Sequence, residues 1–335
     1  MIKVSVIVPC YNEQATIRQL LEAIYHQTYP KNEFEVVIAD GLSTDHTRSV
    51  INEYQRTHPD LEVRIIDNFL RSIPSGLNRA IEAAKGTYIV RMDAHSIPNC
   101  NYIQTCINGL EEGLGDNIGG IWKIQPGATT RIAKAIAIAA SHPLGAGDAH
   151  YRIGGVAQEV DTVPFGAFPR KLIDKIGMFD ETLLSNEDYE FNARLRESGG
   201  RVWLDPTISS IYYARPTLRE LAKQYWRYGY WKAQMLHKHP KTLRWRQILP
   251  PIFMVTIVTL GILSIALGVP RGLLAVIVLL YTIVNFSIGI QMSLKHSNLS
   301  LSIGVPLALA TIHFSWGTAF LWGLIAKPKI NEHQR

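Results

Sequence analysis

An α/β fold with a mostly parallel sheet, followed by a C-terminal helical transmembrane region, is what this sequence predicts. Two observations carry the prediction. Over residues 1–95 short apolar runs alternate with helix-period patterns, and residues 248–326 hold three long stretches almost free of charge.

The first run, residues 4–8 (VSVIV), stops at Pro9. Ile17, Leu20, Leu21 and Ile24 then fall at i, i+3, i+4 and i+7, one face of a helix. Residues 35–40 (EVVIAD) form a second run, after which Ser43 or Thr44 caps a helix reaching His58. Residues 62–67 (EVRIID) read as a third strand. Leu77, Ala80, Ile81 and Ala84 repeat the helical face with Gly86 as its stop, and residues 87–93 (TYIVRMD) read as a fourth strand. Apolar strands separated by helices belong to a parallel sheet covered on both faces. Ligands of such sheets bind outside the carboxyl ends of the strands, where residues 40–45 and 93–95 place two polar clusters.

Residues 120–215 are less regular. They suggest a small-residue helix over 130–140, a loop over 142–161, a helix over 187–197 and a strand over 201–205. Residues 217–236 read as a basic helix carrying Tyr225, Trp226, Tyr228, Tyr230 and Trp231. Seven Lys/Arg lie between Lys223 and Arg246 with no acid among them, a pattern suited to an anionic lipid surface or a positive-inside flank. The expected organisation is an N-terminal domain over 1–220, an interfacial helix over 221–247, spans at 248–268, 272–294 and 301–325 within 248–326, and a polar tail over 327–335. Each span exceeds the roughly 20 apolar residues that a crossing helix needs. Lys238, Lys241, Arg244, Arg246 and Lys295 flank one side, and Arg271, Lys327, Lys329 and Arg335 the other. That balance favours a multi-pass protein of the cell (plasma or inner) membrane with its N-terminal domain in the cytoplasm. His313, the one titratable His, Asp, Glu, Lys or Arg within the spans, reads as a helix-packing hydrogen bond before it reads as a functional group.

Residues 1–220 carry 22 Lys+Arg against 27 Asp+Glu, whereas residues 221–335 carry 12 against Glu332 alone. The basic balance belongs to the membrane-flanking third, which excludes a uniformly basic nucleic-acid-binding domain and predicts no nucleic-acid partner. Cys10, Cys100 and Cys106 have neither C-x-x-C nor zinc-ligand spacing, so a reducing compartment suits the N-terminal domain. The chain runs from Met1 straight into a strand pattern, and no cleaved signal peptide is expected.

Asp93 and His95 stand on one side of an extended strand end. A carboxylate with an imidazole suits Mn²⁺ or Mg²⁺ on a diphosphate, the alternative being a loop cap. Asp40 closes the second strand, placed for a base or ribose or for an Asx turn. Glu187 and Asp188 open a helix, where carboxylates act as caps or as a general base. Gln224 and Arg227 share a helical face at i and i+3.

Taken together and in order, these residues resemble family 2 glycosyltransferases, inverting enzymes of the GT-A (Rossmann-like) fold. Residues 9–13 (PCYNE) resemble the family's P-x-Y-N-E opening. Residues 40–45 (DGLSTD) resemble its D-G-S-x-D nucleotide loop, with Leu42 inserted, and residues 76–80 (GLNRA) resemble the helix before its metal motif. Asp93-Ala94-His95 stands in place of D-x-D, Glu187-Asp188 matches E-D, and residues 224–228 (QYWRY) resemble Q-x-x-R-W. The 187–197 helix, residues 203–206 and 212–215, and residues 225–232 are similar to membrane-anchored, succinoglycan-type exopolysaccharide glycosyltransferases. His95 in place of the second metal-motif Asp implies a weaker site or Asp93 as the main ligand, and Tyr228 in place of Trp departs from processive synthases.

The resemblance implies a nucleotide-sugar donor, with a UDP-sugar first, held by Pro9, Tyr11, Glu13, Asp40, Asn78 and Asp93. It implies a divalent cofactor, Mn²⁺ or Mg²⁺, on Asp93 and His95. Asp188 is the implied general base with Glu187 in support, and Gln224, Arg227 and Tyr228 serve the diphosphate or acceptor side. The implied acceptor is a lipid-linked saccharide in exopolysaccharide or cell-surface glycan assembly. Membrane lipids and other glycan-assembly membrane proteins are the implied partners. The alternative is transfer to polyprenyl phosphate, giving a lipid-phosphate monosaccharide. A nucleotidyltransferase would need a Gly-rich basic loop after the first strand, and residues 10–14 contain no Gly, Lys or Arg. A scaffold would not need this ordered set, and a transporter would need more than one titratable residue in its spans.

Overall fold

The computed structural model describes residues 1–266 and 271–326. Residues 267–268 of the first expected span, and the polar tail 327–335 with Lys327, Lys329 and Arg335, lie outside the described residues. In chain order the elements begin β1 (Val4–Cys10), α1 (Ile17–Tyr25), β2 (Phe34–Asp40), α2 (Thr47–Thr57), β3 (Glu62–Asp67), α3 (Ile73–Ala83), β4 (Tyr88–Arg91) and β5 (Ile97–Pro98). There follow α4 (Tyr102–Glu111), β6 (Asn117–Gln125), α5 (Arg131–Ser141), α6 (Pro143–Ala146), α7 (His150–Ile153), β7 (Gln158–Glu159), β8 (Ala167–Pro169) and α8 (Leu172–Ile176). The chain continues through α9 (Glu187–Glu197), β9 (Val202–Tyr213), α10 (Leu218–Lys238), α11 (Trp245–Ala266), α12 (Arg271–Lys295) and α13 (Leu301–Ile325).

Two compact units emerge. Met1–Lys123 and Gly154–Tyr212 form the first, while Ile124–Ile153 and residues 213–266 and 271–326 form the second. The sequence pattern counts 124–153 with the N-terminal domain and sets the boundary at 220. The segment instead belongs with the helices because α5 is a small apolar helix packed on α13: a Cβ on Gly304 would lie 2.7 Å from that of Ala135.

In the first unit the strands form one nine-stranded sheet in the order β3-β2-β1-β4-β8-β6-β9-β5, with β7 on β9. The four strands legible in the sequence are its parallel half. β8 then pairs antiparallel to β4, so the whole sheet is mixed. The helical face of α1 is what it buries: Ile17, Leu20, Leu21 and Ile24 pack with Val4, Val6 and Val8 of β1, all fully enclosed. β2 and β3 leave β1 on one side and β4 lies on the other, so the strand order reverses between β1 and β4. Open α/β sheets bind ligands at such a switch point.

Two local expectations are corrected. β1 runs through Pro9 to Cys10, because a proline near a strand end costs the ladder only one donor. α2 begins at Thr47 with His46 before it, not at Ser43 or Thr44, because both of those residues are engaged in the loop described below.

In the second unit α11, α12 and α13 are each long and apolar enough to cross a membrane. The basic aromatic stretch is not one helix over 221–247. It comprises α10, a 3₁₀ turn at Pro240–Thr242 and the start of α11. One face of α10 is covered by α13. Gly229 and Gly323 permit the close approach, since a Cβ on Gly229 would lie 2.5 Å from the Trp316 carbonyl oxygen and one on Gly323 would lie 2.8 Å from that of Tyr230. Gln234 Nε2 donates to the Gly323 and Ala326 carbonyls at 2.7 and 2.8 Å.

Candidate active site

The carboxyl ends of β1 and β4 open onto a cavity of about 230 Å³. Its walls include Pro9, Tyr11 and Glu13 after β1, Asn68, Arg71 and Ser72 after β3, and Asp93 and His95 after β4. The loop after β1 is latched to the loop after β2. Asn12, held at φ 54°, donates its N–H to Ser43 Oγ at 2.9 Å and accepts from Thr44 N through Oδ1 at 2.8 Å. Glu13 N donates to Thr47 Oγ1 at 2.8 Å, and His46 N donates to Gln14 Oε1 at 2.9 Å. The Tyr11 ring lies over Gly41, where an added Cβ would come within 3.1 Å of it, and the ring is 43% exposed at the cavity mouth.

Asp40 does not line the cavity. It is fully buried, and its carboxylate accepts from Ser43 N at 3.0 Å, from Ser43 Oγ at 2.5 Å and from Arg48 Nε at 2.5 Å. Arg48 also pairs with Asp67, which stands beside Asp40 in the β2–β3 register. Asp40 therefore shapes the loop after β2 from beneath. Asn78 is likewise elsewhere: its amide bonds the Phe179 backbone twice, at 2.9 Å each, and donates to Glu181 Oε1 at 2.9 Å. It ties α3 to the segment before α9.

Arg91 organises the acids around the end of β4. Its guanidinium is 2% exposed, donates to Asp93 Oδ1 at 3.1 Å and to Glu187 Oε1 at 2.9 Å, and forms an ion pair with Asp188. Burial works against its charge, but Asp93 and Glu187 more than offset this and hold it above its ordinary pKa. One buried cation thus gathers Asp93 and both acids of the α9 N-terminus. Glu187 is buried, whereas the Asp188 side chain is 26% exposed to solvent. His95 Nδ1 lies 3.0 Å from Glu13 Oε1, which orients the imidazole at the cavity wall. Cys10 also lines the cavity, but burial first, then the Asp40 and Glu13 charges, push its thiol far up and leave it protonated and unreactive.

Asp93 and His95 fit a divalent cation through one oxygen and one nitrogen on one wall. Among the described residues no cluster of three or more His, Cys, Asp or Glu side chains forms a closed site, so phosphate oxygens and water would complete the shell. Gln224, Arg227 and Tyr228 lie on α10 in the second unit. Gln224 is buried and donates to Tyr228 Oη at 3.0 Å, while Arg227 is exposed with its guanidinium carbon 5.9 Å from the Tyr228 ring centre.

Arg91, Arg48 and the wall at 68–72 escape the motif reading. Two of them left a signal. Arg91 is a cation two residues before Asp93 in an apolar strand, and a buried charge demands carboxylate partners. Asp67 ends β3 as Asp40 ends β2, a pair that calls for a bridging cation.

Comparison with known proteins gives the same direction. The family description Glycosyl transferase family 2 matches residues 5–177. The dolichyl N-acetyl-alpha-D-glucosaminyl phosphate 3-beta-D-2,3-diacetamido-2,3-dideoxy-beta-D-glucuronosyltransferase of Methanococcus voltae is 30% identical over 96% of this chain and 97% of its own. The succinoglycan biosynthesis protein ExoA of Rhizobium meliloti (strain 1021) is 29% identical over 94% of this chain and 93% of its own. Among solved structures, the mannosyltransferase PcManGT from Pyrobaculum calidifontis, in complex with GDP-Man and Mn²⁺, superposes with a TM-score of 0.62 at 20% identity. That match covers 92% of this chain and 86% of that one, a likeness of fold.

Proposed function

This chain belongs to glycosyl transferase family 2, and from that premise we propose that it is a membrane-anchored inverting enzyme. In this reading it moves a sugar from a nucleotide-sugar, a UDP-sugar first, to a lipid-linked saccharide. The observation that carries the proposal is the Arg91 bracket, which holds Asp93 at the donor cavity and Glu187 and Asp188 beside it. Tyr11 supplies an aromatic surface for the base, and Pro9 and Glu13 wall the donor side. Asp93 and His95 would hold Mn²⁺ or Mg²⁺, whose charge stabilises the leaving diphosphate when bound. Asp188 takes the proton from the acceptor hydroxyl as it attacks the anomeric carbon from the face opposite the nucleotide, which inverts the configuration. Glu187 keeps Arg91 neutralised from within. Gln224, Arg227 and Tyr228 keep their diphosphate- or acceptor-side role as part of the proposal.

Likeness over most of the chain to a transferase named for a dolichyl-linked sugar phosphate, and to a protein named for succinoglycan biosynthesis, supports a lipid-linked saccharide acceptor. Apolar helices would hold the enzyme at the bilayer where such an acceptor lies, confining the encounter to two dimensions. The test is product analysis after incubating the full chain in detergent with labelled UDP-sugar, a lipid-linked saccharide and polyprenyl phosphate. The expected product is an extended saccharide joined by a new glycosidic bond. A lipid-phosphate monosaccharide as sole product would replace this acceptor with polyprenyl phosphate.

A further inference from the structure

We propose that Glu13 is a positioning residue that sets His95 as a nitrogen ligand through Nε2, so that the cation site of the donor cavity selects Mn²⁺ over Mg²⁺. The inference rests on the reading of this cavity as a metal-assisted donor site and adds to it a residue that holds a ligand in place.

Glu13 stands in the loop after β1 and is tied to two helices. Its N–H donates to Thr47 Oγ1 at the start of α2 at 2.8 Å. Its carbonyl accepts from Thr16 N at 3.0 Å and from Ile17 N at 2.9 Å, where α1 begins. The carboxylate is committed at both oxygens: Oε2 accepts from Thr16 Oγ1 at 2.5 Å, and Oε1 lies 3.0 Å from His95 Nδ1. Glu13 therefore serves the imidazole and not a cation directly. The two ligand residues are held from their own side. Ser96 N and Ser96 Oγ both donate to the Asp93 carbonyl, at 2.9 and 2.7 Å, which closes a turn around His95. Buried Arg91 holds Asp93 through Oδ1.

The contact with Glu13 assigns the ring nitrogens. An ionised carboxylate only accepts, so a neutral imidazole beside it carries its hydrogen on Nδ1 and its lone pair on Nε2. A carboxylate behind a ligating histidine fixes the ring orientation and raises the basicity of the other nitrogen. The neutral ring brings no charge to a dication, and Glu13 places a negative charge one ring away. The ligand type then decides the ion. Mg²⁺ takes oxygen ligands in near-ideal octahedral geometry, whereas imidazole suits the divalent transition metals. Mn²⁺ combines that with a fit to the carboxylate, phosphate and water oxygens that make up the rest of the shell. A site lined by oxygen alone would discriminate less.

The test is Mn²⁺ binding to the full chain in detergent, free of any polyhistidine tag, with UDP and with GDP in parallel. It is read by electron paramagnetic resonance, with spin-echo modulation to detect nitrogen bonded to the ion. The expected result is binding that Asp93→Ala weakens, with a nitrogen modulation that disappears in His95→Ala. Glu13→Ala is expected to lower Mn²⁺ affinity by roughly 10–100-fold, the usual effect of losing such a partner, and to cost nothing further in the His95→Ala background. Glu13→Gln keeps an acceptor oxygen, should lose less, and carries the same comparison if Glu13→Ala does not fold. His95→Asp should bring the affinities for Mn²⁺ and Mg²⁺ closer together, with Mg²⁺ measured by competition. Three results would overturn the proposal while sparing the donor site: Asp93-dependent binding without nitrogen modulation, an equal cost of Glu13→Ala with and without His95, or an unchanged ion preference in His95→Asp. No Mn²⁺ binding with either nucleotide, or binding indifferent to Asp93→Ala, would overturn the metal-assisted reading and the proposal together.

Discussion

Asp188→Asn is expected to lower turnover by roughly 10²–10⁴-fold, the usual contribution of a general base, while the fold and donor affinity stay as they are. Asparagine keeps the shape of the side chain and an oxygen facing Arg91, so the bracket survives with Asp93 and Glu187 still in place. It cannot accept the acceptor proton. Glu187 is a poor substitute because it is buried against Arg91, whereas Asp188 retains an exposed edge. Initial rates and donor binding measured side by side check the point. Unchanged turnover would remove Asp188 from the role, and a loss confined to donor binding would move it to the donor side.

Arg91→Leu is expected to destabilise the first unit by about 3–5 kcal/mol, the cost of stripping a buried ion pair of one partner. Three carboxylates would then face one another around an apolar side chain. For a unit of this size each kcal/mol shifts Tm by roughly 2–4 °C, so thermal unfolding in detergent should fall by roughly 6–20 °C. Arg91→Lys restores the charge but not the fork that reaches three acids, and should recover part of the loss. A Tm for Arg91→Leu within experimental error of the parent chain would show that the bracket does not organise the site.

The parallel half of the sheet was legible because its strands are buried on both faces and therefore apolar throughout, and because α1 shows its packed stripe as a clean helical period. The cavity at the ends of β1 and β4 was legible because polar residues gather there, where the apolar packing of the sheet stops. What stayed hidden depends on partners far away in sequence. Nothing local distinguishes Asn78, which bonds Phe179 and Glu181, from an asparagine that meets a nucleotide. Asp40 looks like an open ligand until Arg48 is seen across its carboxylate. Residues 124–153 read as part of the N-terminal domain because small, apolar α5 resembles any buried helix, and only its packing on α13 shows which core it joins. Ser43 and Thr44 have the chemistry of helix caps, but the loop after β1 claims them first.

The most direct test of the central claim is nucleotide release from labelled UDP-glucose, and from a panel of other UDP- and GDP-sugars, by the full chain in detergent. It is measured with Mn²⁺, with EDTA, and in Asp93→Ala. The prediction is release with Mn²⁺ for at least one donor, abolished by EDTA and by Asp93→Ala. Donor turnover that survives both treatments, or a failure of every donor to bind with metal present, would contradict a donor site at the junction of β1 and β4.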